Sequence, residues 1–222
     1  MQRLLIVEGE EGKKFFEAVF RVMGHPEEIE IRFHPSGKSN AIQVFGARLD
    51  LVTQATKARI GLAIDADDPR LNASDGFANT HKAVNQQLQQ RHFNALAIGT
   101  GTSGFLSKGN RYADVLTGLW VMPNNSANGY LEDFANSTVA ASERDRQSYA
   151  LKVTESVMRD THGGPSFEIK EHHLAKAVVG TWFAWSDPPR MNLGTAVSRG
   201  LVNIRDPKFQ PLIAWLNLLY FT

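Results

Sequence analysis

Leu4-Leu5-Ile6-Val7-Glu8-Gly9 and, farther along, Ile60-Gly61-Leu62-Ala63-Ile64-Asp65-Ala66-Asp67 are the stretches whose reading decides the fold. Each is a short unbroken apolar run that ends in acid. Such a run, without polar alternation, suits a strand covered on both faces, the usual situation in a parallel sheet. After the first run, Glu8-Gly9-Glu10-Glu11-Gly12 reads as an acidic turn. Phe15, Phe16, Val19, Phe20 and Met23 then recur at helical spacing until Gly24 and Pro26 stop the helix. Glu10 and Glu11 suit the N-terminus of that helix. The opening is therefore strand, glycine turn, helix.

Working outward, residues 29–33 alternate and predict a second strand, followed by the loop Pro35-Ser36-Gly37-Lys38-Ser39. Ile42, Val44, Phe45, Leu49 and Val52 predict a second helix ending near Thr56. Pro69 forbids continuation of the strand that leads into Asp65-Ala66-Asp67-Asp68. Residues 78–91 read as a polar, Gln-rich surface helix, and residues 93–98 and 115–122 as further strands. Gly99, Gly101, Gly104 and Gly109 mark a long loop between those two. From Gly129 the texture turns helical, with Leu174, Ala177, Val178, Thr181, Trp182 and Trp185 on one spacing and residues 212–221 strongly apolar. Alternating strand and helix followed by helices predicts an α/β fold. Its mostly parallel sheet is flanked by helices, with an additional helical C-terminal part. The simplest organisation is one domain, with a core over about residues 1–125 and a helical elaboration over 126–222.

Lys and Arg number 24 against 23 Asp and Glu, so net charge does not advertise a nucleic-acid or membrane partner. A local basic groove is compatible with that balance. The absence of cysteine excludes disulfides, thiolate metal sites and a Cys nucleophile. The apolar run at the N-terminus is too short for a signal-peptide core, and no stretch is long enough to cross a bilayer. The expectation is a soluble, cytoplasmic protein without a membrane partner.

Open α/β sheets bind ligands at the carboxyl ends of their strands. If the two acid-tipped strands are parallel neighbours, Glu8, Asp65 and Asp67 meet on one edge. Carboxylates held together repel one another and raise each other's pKa. A hard dication such as Mg2+ or Mn2+ relieves that repulsion and prefers oxygen ligands. The competing reading of each segment alone is an Asp or Glu that caps a helix or satisfies a turn.

Val7-Glu8-Gly9 and Ile64-Asp65-Ala66-Asp67 resemble the Toprim domain of topoisomerases, primases and overcoming-lysogeny-defect nucleases, a Rossmann-like fold. The resemblance covers about the first seventy residues. The whole chain further resembles a small bacterial Toprim-like family through Trp120-Val121-Met122-Pro123-Asn124-Asn125, Gly129-Tyr130-Leu131-Glu132-Asp133-Phe134 and the stretch from Lys176 to Trp185. The resemblance implies that Glu8, Asp65 and Asp67 form the metal and acid/base site. The Toprim nucleases also place a Leu-Glu pair and a downstream lysine near the metals, which carries over to Glu132 and Lys176. Some branches have a third acid where this chain has Pro69, so one metal or two stays open. With no ATPase, gate or zinc-binding module in these residues, the resemblance points to the nuclease branch rather than to a topoisomerase.

Other groups have plainer readings beside functional ones. Glu132 and Asp133 follow Asn128-Gly129 and either bind metal or charge a helix N-terminus favourably. Lys176 either offsets charge on a phosphoryl transition state or is a solvated helix lysine. Glu10, Asp68, Asp133 and Lys38 complete the groups within sequence reach of the acid edge. The seven histidines show no His-x-x-x-His spacing, and adjacent His172 and His173 do not face one another. The Pro35–Ser39 stretch lacks a phosphate-loop frame. Gly99-Thr100-Gly101-Thr102-Ser103-Gly104 lacks the ribose acid of a dinucleotide site. The leading expectation is a metal-dependent, nuclease-like enzyme acting on nucleic acid or a nucleotide. The alternatives are a non-catalytic metal- or nucleotide-binding regulatory module and a phospho-acceptor domain.

Overall fold

A computed structural model describes residues 1–35, 37–96, 104–159 and 169–222. The order of elements is β1 (Gln2–Glu8), α1 (Gly9–Val22), β2 (Glu30–His34), α2 (Lys38–Asp50), β3 (Ala58–Asp65), α3 (Phe77–Gln90), β4 (Phe105–Lys108) and β5 (Val115–Met122). The helices α4 (Leu131–Ser137), α5 (Arg144–Arg159), α6 (Leu174–Ala184), α7 (Leu193–Ser198) and α8 (Gln210–Tyr220) follow. The five strands form one sheet in the order β2-β1-β3-β5-β4. All pairings are parallel except β4 with β5, which is antiparallel. This is the α/β fold, mostly parallel and flanked by helices, that the alternating runs predict.

The unbroken apolar runs are explained by cover on both sides. Leu4 and Ile6 face α2 and α3, in a cluster with Ile60, Leu62, Ile64 and Phe45. Leu5 and Val7 face the other way and share a cluster with Phe15 of α1, Trp182 of α6, Leu193 of α7 and Trp215 of α8. Because successive strand side chains alternate between faces, neither face tolerates a polar residue here. Burying one Leu or Phe side chain in such a cluster contributes about 1.5–3 kcal/mol.

The C-terminal helix seats on the sheet through two glycines. Gly61 and Gly118 are register partners on β3 and β5. A Cβ at Gly61 would stand 2.4 Å from the Tyr220 hydroxyl, and one at Gly118 would stand 2.9 Å from a Leu219 methyl. The missing side chains form a slot that α8 fills. From it, the Tyr220 hydroxyl donates to the Leu4 carbonyl at 2.8 Å, and Trp215 Nε1 donates to the Phe105 carbonyl at 3.1 Å.

One part of the sequence reading needs correction. The supposed long loop contains β4, and Phe93 forms only a single bridge pair with Gly109 rather than opening a strand. Residues 97–98 of that supposed strand, and most of the glycine-rich stretch 99–104, lie outside the described residues. Four residues at a sheet edge are too few to show a period. What makes Phe105–Lys108 a strand is tertiary: Phe105 is buried against Phe77 and His81 of α3, and Thr117 of β5 donates to the Ser107 carbonyl. Among the described residues, no helix is long and apolar enough to cross a membrane.

Candidate functional site

β1 and β3 are neighbours, with Val7 opposite Ala63, so their carboxyl ends lie side by side. Glu8 ends the first and Asp65 the second, and the Asp65 backbone N–H lies 3.4 Å from Glu8 Oε2. The N-terminus of α4 closes over them. Leu131 N–H donates to Asp65 Oδ1 at 2.9 Å, and Glu132 follows on the same turn. Glu8, Asp65 and Glu132 share a small cavity of about 180 Å3 with Lys176 of α6 and Glu11 of α1.

The electrostatics of this edge are those of crowded carboxylates. Burial, reinforced by the Asp67 charge, raises the Glu8 carboxyl to about 7, against the lowering effect of the Asp65 N–H, Lys38 and Lys176. Asp65 keeps a little accessible surface, but the protein atoms packed around it push its carboxyl well above the usual range. Glu8, Glu132 and Asp67 push in the same direction. Burial also raises Glu132, with Lys176 opposing it. Lys176 is the cation whose field reaches Glu8, Asp65, Glu132 and Asp133, and its Nζ stands 4.6 Å from the centre of the Tyr130 ring. A cation over an aromatic face is attracted to it by about 0.5–2 kcal/mol.

Asp67 sits just past the strand in the left-handed region, at φ 61°, where Asp is one of the few tolerated side chains. A two-way backbone bridge to Gly129 holds it there, with N···O distances of 3.0 and 3.3 Å. Its carboxylate accepts from Lys38 Nζ at 2.7 Å. Lys38 therefore does reach the acid edge, from the first residue of α2. The adjacent Gly37 lies close to Glu8, because a Cβ at Gly37 would stand 3.9 Å from Glu8 Oε1.

The remaining candidates have local partners. Asp133 accepts from Tyr130 N–H at 2.8 Å and completes a capping box at the start of α4, the helix-capping alternative in the sequence. Burial raises its carboxyl, against the effects of that N–H and of Lys176. Glu10 is exposed and pairs with Lys14 one turn along, at 2.8 Å. Asp68 turns outward to the Arg70 guanidinium at 2.6 Å, and Arg70 also reaches Glu171 at 3.0 Å. Two participants carry no sequence signal. Asp75, in an ordinary turn before Gly76, is the second carboxylate on Lys38 at 2.7 Å. Glu11 joins the cavity wall while accepting from Leu193 N–H of α7.

The donor chemistry suits a hard dication, since the groups that converge are oxygen ligands under mutual repulsion. Among the described residues, however, no set of three or more His, Asp or Glu side chains is already gathered as a metal-binding group. Asp67 is paired with Lys38, while its charge still bears on Glu8 and Asp65.

A family model described as "Protein of unknown function (DUF3226)" matches residues 2–221. The chain belongs to that family. No curated protein and no solved structure matches it.

Proposed function

We propose that this member of the DUF3226 family is a divalent-metal-dependent, Toprim-type protein that processes phosphodiesters, most simply as a nuclease. One observation carries the reading: Glu8 and Asp65, at the tips of adjacent parallel strands, open with Glu132 and Lys176 onto the same small cavity. Fold alone would not support a function, whereas convergent titratable groups of shifted pKa in a cleft do.

Glu8, Asp65, Asp67 and Glu132 are the residues that would hold Mg2+ or Mn2+. When bound, such an ion neutralises the carboxylates and polarises a phosphate oxygen. Glu8, whose carboxyl burial raises to about 7 in the metal-free protein, would share the metal or act as general base or acid. Lys176 offsets negative charge on the phosphate, and Tyr130 beneath it fixes where that charge stands. A larger cleft of about 560 Å3, lined by Tyr130, Asp133, Asn128 and His172, adjoins the site and gives the rest of a nucleotide or nucleic-acid strand somewhere to lie.

Incubation of the purified protein with DNA and RNA, in Mg2+ or Mn2+, tests this reading. Cleavage that disappears in Asp65→Ala and Glu8→Ala is the expected result. Cleavage that survives both substitutions places the chemistry elsewhere. The second reading, a metal- or nucleotide-binding regulatory module, is favoured by one observation, the engagement of Asp67 by Lys38. Metal or nucleotide binding by calorimetry with no cleavage of any substrate selects it. A phospho-acceptor role draws no support, because three other carboxylates crowd Asp65 and repel an incoming phosphoryl group.

A further inference from the structure

We propose that Lys38 is a built-in counter-cation of the acid edge, and that a divalent metal loads by displacing its ammonium from Asp67 while Asp75 retains it. The inference rests on the metal-site reading above and names how that site is regulated.

Four observations support it. Lys38 Nζ has Asp67 Oδ2 and Asp75 Oδ1 at 2.7 Å and the Ala66 carbonyl at 3.0 Å. An ammonium carries three N–H donors, so this one is saturated by three acceptors. The side chain is only 12% exposed, so the arrangement is a built contact rather than a surface pair.

Lys38 is also the first residue of α2, whose first turn contains no acid. A cation there faces the positive end of the helix dipole, an unfavourable position for stabilising the helix itself. Its placement makes sense as a service to the acids opposite. Finally, the backbone bridge to Gly129 pins Asp67, so its carboxylate can serve Lys38 or a metal but has little freedom to swing between distant partners.

The charge balance is simple. In the closed state one ammonium is shared by Asp67 and Asp75. Loading would add two positive charges, set against Asp67, Glu8 and Asp65, while Lys38 would keep Asp75 and the Ala66 carbonyl. Asp75, which has no place in the metal reading, acquires a role as the carboxylate that retains the lysine.

The test measures Mn2+ affinity by calorimetry in the full chain for wild type, Lys38→Met, Asp75→Asn and Lys176→Met. Lys38→Met is expected to tighten binding about tenfold or more, because a directly bonded, partly buried competitor is gone. Lys176→Met removes a charge with no direct carboxylate bond among the described residues, and is expected to change affinity less than about threefold. Asp75→Asn is expected to weaken binding, because the displaced ammonium loses its anchor. In wild type, the slowly exchanging ammonium signal of Lys38 in nitrogen-15 spectra should shift on Mg2+ addition, which keeps the idea testable if a variant fails to fold. Wild-type binding that Lys38→Met leaves unchanged or weakens overturns the exchange and spares the metal reading. Equal tightening by Lys38→Met and Lys176→Met reduces the effect to bulk charge and also overturns it. Binding by neither wild type nor Lys38→Met removes both readings, and binding by Lys38→Met alone overturns the exchange, because the ammonium then blocks the metal instead of yielding to it.

Discussion

Glu8→Gln should make the metal-free protein more stable at alkaline pH and flatten its pH dependence. The Glu8 carboxyl rises from 4.5 to about 7 on folding, chiefly through burial and then through Asp67. A group whose pKa is raised in the folded state lends its full stability below the unfolded value and loses it as pH climbs through the folded value. The loss therefore runs from about pH 4.5 to just above pH 7. At about 1.4 kcal/mol per unit, the rise corresponds to roughly 3.5 kcal/mol as an upper limit, since Asp65 and Asp67 share the same repulsion. In a protein of this size that is at most about 7–14 °C in Tm. Gln preserves the acceptor for the Asp65 N–H while removing the charge. Urea unfolding of both proteins at pH 5 and pH 8, without divalent metal, is the assay. Wild type should lose stability between the two values and Glu8→Gln should lose markedly less. Parallel pH profiles for the two proteins would refute the assignment of buried, uncompensated charge to this edge.

Mg2+ or Mn2+ should raise the Tm of wild type at pH 8, by the amount that ligand binding to the folded state alone confers. Asp65→Ala should show no such rise in the same thermal scan. Gly61→Ala should cost about 1–3 kcal/mol in denaturant unfolding, because its Cβ would collide with the Tyr220 hydroxyl and Leu219. Trp182→Phe should cost about 1–3 kcal/mol by the same measurement. It removes the indole N–H that donates to buried Glu143 Oε2 at 3.1 Å, leaving Arg146 as the remaining charged partner of that carboxylate.

The acid edge was legible because two things coincided in the same residues: runs that only a doubly covered strand explains, and acids at their ends. Neighbouring placement of β1 and β3 was only a condition of that reading, and the sheet order β2-β1-β3-β5-β4 supplies it. β4 was not legible, because four edge residues carry no period and Phe105 owes its burial to α3. The closing of α4 over Asp65 was not legible either, since a backbone N–H such as that of Leu131 has no residue-type signature. Lys38 read only as a lysine within reach, because its second carboxylate, Asp75, comes from a turn that resembles any other surface turn. Asp133 illustrates the opposite case. Its capping reading was available beside its metal reading, and the local hydrogen bond to Tyr130 N–H is the one present.

The seating of α8 in the Gly61 and Gly118 slot has a consequence for synthesis. The hydroxyl that meets the Leu4 carbonyl belongs to a residue 216 positions later. During translation at ordinary rates, the opening strand waits roughly 10–40 s before that residue is made. Throughout that interval one side of the nascent sheet lacks the helix that will cover it. The newborn polypeptide is therefore expected to depend on chaperone shelter more than its modest size would suggest, and deletion of residues 210–222 should yield aggregates rather than a smaller folded core.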